Sequence, residues 1–307
     1  MRTAYISHST CLRHEMIDGH PECPERIGAI EDRLLAAGIF DFLQHYNAPA
    51  ATTWQLRRIH RREHVRKILS GSPKKGLFHL DPDTYMNPHT ARAAVHAAGA
   101  VVLGTNLVIK GKVDNAFCCV RPPGHHAEKN EAMGFCFFNN VAVGAAHALA
   151  KHGLERVAII DFDVHHGNGT ENIFENEKRV MVCSAYQHPF YPYSGRPTVD
   201  GRLINVELKA GTTGKEFREA LTDQWFPQLY AFQPQMIFIS AGFDAHTEDD
   251  IAELNLTEQD YTWITREIMV LAERYAENRI VSVLEGGYNL HALGRSVTAH
   301  VKALMRL

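Results

Sequence analysis

The chain has 307 residues, enough to bury a large core in one α/β domain or in two smaller domains. Hydrophobic residues at 45% and charged residues at 22% match ordinary soluble globular proteins, which excludes disordered and fibrous classes. A net charge of -3, spread over residues of both signs, gives no general reason to bind nucleic acid or an anionic membrane, so neither is expected as a partner.

The opening Met1 to His8 lacks the long apolar segment of a signal peptide, and no later run approaches the ~18 apolar residues that span a bilayer; a cytoplasmic location is expected. The basic stretch 57–67 reads as a solvated helix face with Ile59, Val65 and Ile68 turned inward, rather than as a phosphate-binding surface. A polar loop follows at 71–76. Short apolar runs rich in Val, Ile and Phe predict buried strands over 115–120, 157–161, 180–185, 203–208, 236–241 and 280–284. Between and after them, helices are predicted over 139–152, with Gly153 as its stop, and over 215–230, 257–277 and 290–307. Strands alternating with helices predict a single α/β domain over 1–307, a mainly parallel central sheet with helices on both faces. The six cysteines, at 11, 23, 118, 119, 136 and 183, form no C-x-x-C pair and read as buried free thiols. No feature fixes an oligomeric state.

The chain also holds 19 histidines, and their positions carry the chemistry. In an open parallel sheet, ligands and catalytic groups collect beyond the carboxyl ends of the strands. Four polar clusters lie there: Arg121-Pro-Pro-Gly-His125-His126, Asp161-Phe-Asp163-Val-His165-His166, Gly242-Phe-Asp244-Ala-His246 and Glu285-Gly-Gly-Tyr288-Asn289. Asp163 and His165 stand two apart at a strand end, where alternation puts them on one side, and Asp244 from another strand completes a three-ligand set. Zinc is the default ion for such a set, and its oxygen content also admits iron(II). Any one of these residues alone is more simply a helix cap or a backbone partner; the metal reading rests on the combination. His125-His126 after Pro-Pro-Gly are placed to transfer protons, and Tyr288 offers a hydroxyl to a developing oxyanion.

The motifs R-P-P-G-H-H, G-F-C-F-F-N-N, D-F-D-V-H-H-G-N-G-T, S-A-G-F-D-A-H and L-E-G-G-Y-N, with H-P-E-C-P-E-R near the start, resemble the successive signatures of histone deacetylases. The similarity is greatest to class II enzymes and bacterial amidohydrolase relatives, with the arginase/deacetylase fold. It implies zinc at Asp163, His165 and Asp244, His126 as general base and acid beside His125, and Tyr288 as the transition-state tyrosine. It also implies that Asp161 supports His125 and binds a structural potassium ion with Ser184 and Ala185. Gly134 and Phe135 should line an acyl-lysine tunnel. The motif Phe190-Tyr191-Pro192 leaves a one-residue choice for the facing wall, taken here as Tyr191. Ile251 should stand at the rim, Asp81 or Asp83 should hold a peptide backbone, and Arg26 should lie near the product channel. Departures at Phe162, Tyr193 and Asp250, where relatives often carry Trp or Leu, Gly and Pro, touch the rim and its surroundings.

The resemblance implies hydrolysis of acetyl or other short acyl amides by metal-activated water, without a covalent acyl-enzyme, so Cys136 and Cys183 are packing residues. The substrates implied are acetylated lysine peptides or acetylated small amines. The alternative within the same chemistry is an acetylpolyamine or other small-metabolite amidohydrolase, and only the rim distinguishes them. Ile251 stands where a polyamine-selective relative carries a glutamate, whereas Glu248, Asp249 and Asp250 just before it are a possible source of rim charge. An arginase-like ureohydrolase would need two manganese ions and more bridging carboxylates. An acetyl reader without turnover would lack a ligand or the tyrosine.

Overall fold

The computed structural model describes residues 1–195 and 201–307. In order, the chain forms β1 (Thr3–Ser7), α1 (Glu25–Ala36), β2 (Gln44–Asn47), α2 (Thr53–Leu56), α3 (Arg62–Gly71), β3 (Phe78–Asp81), β4 (Thr84–Met86), α4 (Thr90–Ile109), β5 (Asn115–Cys118) and α5 (Asn140–His152). There follow β6 (Val157–Asp161), α6 (Asn168–Phe174), β7 (Val180–Gln187), β8 (Leu203–Leu208), α7 (Gly214–Gln224), α8 (Phe226–Phe232), β9 (Met236–Ala241), α9 (Glu258–Tyr275), β10 (Ile280–Leu284) and α10 (Leu290–Leu304).

One eight-stranded sheet, of order β2-β1-β5-β10-β9-β6-β7-β8, carries the core, and every pairing in it is parallel. Central strands such as Val157–Asp161 and Met236–Ala241 are buried along their whole length, as strands covered on both faces must be. The chain crosses from β5 to β6 over a gap that β9 and β10 later fill. The strands that precede the four polar clusters are therefore contiguous, β5-β10-β9-β6, and their carboxyl ends open on one crevice. The separate hairpin β3-β4 is antiparallel and stands beside that crevice, where Thr84 Oγ1 accepts the Phe135 N–H at 3.0 Å.

Elements that pattern alone did not reveal have physical reasons for escaping it. The polar β2, Gln-His-Tyr-Asn, is an edge strand set by pairing with β1 rather than by an apolar run. The core helix α4 packs against β1, β5, β10 and α5 and is apolar on most of its surface, which erases the one-sided periodicity of a surface helix. It is long and apolar enough to cross a membrane by composition, yet most of it is buried inside the domain. The helix predicted over 215–230 is divided into α7 and α8, because Pro227 in the first turn of α8 has no N–H to continue the ladder. Of the basic stretch 57–67, residues 57–61 form the turn between α2 and α3 and only 62–67 lie in α3, although Ile59, Val65 and Ile68 are buried as expected. The six cysteines are free, and Cys23 is half-buried rather than buried.

At the crossing of α4 with the 49–51 loop, a Cβ on Gly99 would fall 1.8 Å from the Pro49 carbonyl oxygen. Gly99→Ala is expected to destabilise the fold by up to ~3 kcal/mol through overpacking against rigid backbone. Gly28→Ala, on α1 with nothing within 4 Å, should instead be neutral or slightly stabilising. Urea unfolding of the two variants measures the difference.

Candidate metal and catalytic site

Asp163 and His165 lie in the turn after β6, beyond the strand itself, so strand alternation is not what aligns them. Asp163 Oδ1 accepts the His165 backbone N–H at 2.9 Å, and this local turn folds the imidazole back onto the same carboxylate, with Nδ1 2.9 Å from that oxygen. Asp244, after β9, accepts the Val164 N–H through Oδ1 at 2.9 Å, and its Oδ2 lies 3.2 Å from His165 Nδ1. One ligand atom from each of the three residues falls within 4.8 Å of the others, and all three residues are buried.

This trio fits a divalent cation. Among the described residues, Asp244 Oδ2 is buried and meets no donor in hydrogen-bonding geometry, a costly condition for a carboxylate oxygen unless a cation meets it. Burial and the neighbouring Asp163 push the Asp244 carboxyl up to about 6. Against the desolvation that lowers it, the adjacent carboxylates of Asp163 and Asp244 raise His165 to about 9, so together they attract positive charge to this point. The approach is also close: a Cβ on Gly286 would lie 1.9 Å from Asp244 Oδ2. Two carboxylates with one imidazole are a donor set for zinc or iron(II).

The histidine pair is held asymmetrically. His125 Nδ1 is 3.0 Å from Asp161 Oδ2, and its Nε2 is 3.7 Å from Asp163 Oδ1. Burial lowers the His125 imidazole, but the charges of Asp163 and Asp161 outweigh it and hold the group well above its ordinary value. His126 instead meets an amide, with Nδ1 2.7 Å from Asn168 Oδ1. Burial, and then the positive neighbours His125 and His165, hold His126 well below its ordinary value. The neutral ring is the form that can accept a proton. Asp161 is opposite Ser184 in the β6-β7 register, with Ala185 next along β7, so these three expected cation-site residues adjoin one another.

A cavity of about 180 Å³ leads to this point, with His125, His126, His165 and Tyr288 at its foot. Phe135, Phe190, Tyr191 and Ile251 line it, with Asp83 among its residues. The choice between Phe190 and Tyr191 resolves into both: Phe190 stacks on His165 at 5.4 Å, and Tyr191 sets its ring against His126 at 5.3 Å. Gly134 has no room for a side chain, since a Cβ there would come within 2.5 Å of the His126 ring. Asp81 is not among the lining residues; its Oδ1 accepts the Asp83 N–H at 3.0 Å. Arg26 also lies outside the cavity, behind Tyr288, with its guanidinium 5.0 Å from the centre of the tyrosine ring. It donates to the Gly287 and Glu285 carbonyls at 2.7 and 2.5 Å, bracing the loop after β10. Cys136 and Cys183 are buried thiols held above their ordinary value by desolvation, which disfavours the nucleophilic thiolate.

Sequence reasoning missed three supporting residues. Asn168 directs its Nδ2 to Glu128 Oε1 at 2.9 Å, which turns its oxygen toward His126. Glu285 Oε2 accepts the Gly124 and His125 N–H groups at 2.6 and 3.1 Å. Asp249 was read as a source of rim charge, but it is buried and its carboxylate bonds backbone. The only signal for Asn168 was its place in H-H-G-N-G-T, and nothing local marked the partners of Glu285 or Asp249.

The histone deacetylase domain model matches residues 20–304. A "Probable deacetylase" of Archaeoglobus fulgidus is 36% identical, covering 94% of this chain and 82% of its own. A histone deacetylase-like amidohydrolase of Pseudomonas aeruginosa is 36% identical over 88% of this chain and 73% of its own. The crystal structure of the HDA15 HD domain superposes with a TM-score of 0.93 at 36% identity, covering 99% of this chain and 88% of that one. With its parallel-sheet fold, its strand-end site and these relatives in agreement, the chain belongs to the histone deacetylase family.

Proposed function

We propose that this family member is a zinc-dependent amidohydrolase that removes acetyl or other short acyl groups from lysine side chains or small amines. The observation that carries the reading is the buried Asp244 Oδ2, which among the described residues meets no donor in hydrogen-bonding geometry, set with Asp163 and His165 at the foot of a narrow, mostly apolar cavity. A divalent ion held by those three residues would supply Lewis acidity to an acyl oxygen and to a water. His126, kept neutral by its surroundings, takes the proton from water and returns it to the leaving amine. Tyr288, whose phenol is held well above its ordinary value by desolvation, stays protonated and donates to the oxyanion. We assign Asp161, Ser184 and Ala185 to a potassium ion that steadies the β6 and β7 loops, and Asp83 to a substrate backbone amide.

The metal assignment predicts about one divalent ion per chain by elemental analysis of purified protein, and its loss together with activity in Asp163→Asn and His165→Ala. Full activity in a variant without bound metal would refute it. The oxyanion role predicts that Tyr288→Phe keeps metal and fold but lowers kcat roughly a hundredfold, the cost of one lost donor. Steady-state kinetics on an acetyllysine peptide measure it, and an unchanged kcat would reject the role.

Substrate preference follows from the mouth. Phe135, Phe190, Tyr191 and Ile251 form a sleeve that binds uncharged methylenes at about 0.8 kcal/mol each and does not select by charge. Glu248 is paired with Arg295 at 2.7 Å and Asp249 is turned inward, which removes two of the three acids before Ile251 from a substrate cation. An acetyllysine peptide and acetylated polyamines are expected to differ in kcat/KM by less than about a hundredfold, ~2.7 kcal/mol. A polyamine preference beyond that in parallel assays at equal salt would favour a small-metabolite enzyme instead.

A further inference from the structure

The short loop from Asp244 to Ile251 joins a metal-site carboxylate to the cavity wall, and Asp249 is buried within it. The Asp249 N–H donates to the His246 carbonyl at 2.8 Å, which closes a turn and points the side chain inward. There Oδ2 accepts two consecutive backbone N–H groups, Tyr288 at 2.6 Å and Asn289 at 3.0 Å, while Oδ1 accepts the Ile251 N–H at 3.2 Å. One carboxylate thus grips the backbone of the tyrosine and the backbone of the cavity wall. Arg26 over the tyrosine ring and Phe135 against its edge at 6.0 Å restrain the side chain, whereas the Tyr288 N–H is held by Asp249. Gly286 and Gly287 precede the tyrosine, and Gly287 adopts φ +117°, a conformation open chiefly to glycine. From the other side, Arg26 binds the carbonyls of Glu285 and Gly287 but not the Tyr288 N–H.

We propose that Asp249 is a positioning residue that sets the direction of the Tyr288 hydroxyl for oxyanion stabilisation and ties it to the wall formed by Ile251. The proposal rests on the amidohydrolase reading of the site. A carboxylate accepting N–H donors makes charge-assisted bonds stronger than neutral ones, and a misplacement of about 1 Å at a catalytic donor costs up to a hundredfold in rate. Asp249 does not itself line the cavity, and its carboxylate reaches the site through its bonds to the lining residues Tyr288 and Ile251.

The test is a double-mutant cycle on the zinc-loaded enzyme with an acetyllysine peptide, combining Asp249→Ala with Tyr288→Phe. Asp249→Ala is expected to lower kcat by about thirtyfold with KM within about threefold of wild type, because the lost interaction acts in the transition state. In the Tyr288→Phe background the same change should lower kcat by less than about threefold, since the hydroxyl it directs is already gone. Metal content by elemental analysis should stay at the wild-type level in all four proteins. Asp249→Asn, which keeps one acceptor oxygen, should recover part of the lost kcat and serves in the same cycle if the alanine variant does not fold. Equal fold-losses in both backgrounds, or an unchanged kcat, would overturn the positioning role while leaving the site reading intact. If Tyr288→Phe itself retains wild-type kcat, the oxyanion reading fails, and the positioning role fails with it.

Discussion

At the carboxyl edge of the sheet, acids from one loop accept backbone N–H groups from the next, and the site depends on this cross-strand stapling. Asp163, after β6, accepts the Gly286 N–H from the loop after β10 at 2.8 Å. Asp244, after β9, accepts Val164 from the β6 loop; Glu285, after β10, accepts Gly124 and His125 from the β5 loop. Loops that follow parallel strands have no ladder of their own beyond the strand end, so these bonds substitute for it and satisfy N–H groups that burial would otherwise leave unpaired. The loops that carry the functional side chains are thereby tied to one another by acids from different strands.

The same acids create the site's electrostatic demand. Asp161, Asp163, Asp244 and Glu285 are all buried around one crevice, and burial pushes Glu285 up to about 7. His125 answers Asp161 and backbone donors answer Glu285; Asp163 and Asp244 also accept backbone N–H groups, but the two carboxylates converge on the single imidazole of His165. A buried carboxylate without its counter-charge costs several kcal/mol, so cation binding at this trio and stability of the loops are linked. On the far side, Arg26 and Arg121 both meet Glu22, and the positive excess of that buried group faces the acids across Tyr288.

The chemistry was legible where it is written locally. Asp163, His165, His125, His126 and Tyr288 sit directly after apolar strand runs, and the parallel order of β5, β10, β9 and β6 brings those strand ends together. Strand alternation, expected from their spacing, does not align Asp163 and His165; a turn beyond the strand end joins them. What escaped the sequence is what only tertiary contact defines. The polar edge strand β2 exists through its partner, and α4 hides its helical period because it is apolar on most faces. Asp249 read as one more acid in the run Glu248-Asp249-Asp250; only the packed loop distinguishes a paired surface charge, a buried backbone acceptor and an exposed residue.

The histidine pair shows how small a chemical difference can divide two adjacent, buried residues. Their rings lie 4.0 Å apart and both are buried, so desolvation acts on both in the same direction and cannot by itself separate them. The separation comes from charge: Asp163 and the Nδ1 partner Asp161 raise His125, whereas His126, with an uncharged amide at Nδ1, is lowered further by His125 and His165. Because the Asn168 amide nitrogen is committed to Glu128, its oxygen faces the ring, and the His126 Nδ1–H donates to it. That fixes the tautomer with Nε2 unprotonated, the form a proton acceptor requires. An aspartate in place of Asn168 would supply the charge that raises an imidazole, and the two rings would then compete for the cationic form within 4.0 Å of each other. The amide therefore orients the ring without charging it, which is the condition the proposed base needs beside a bound cation.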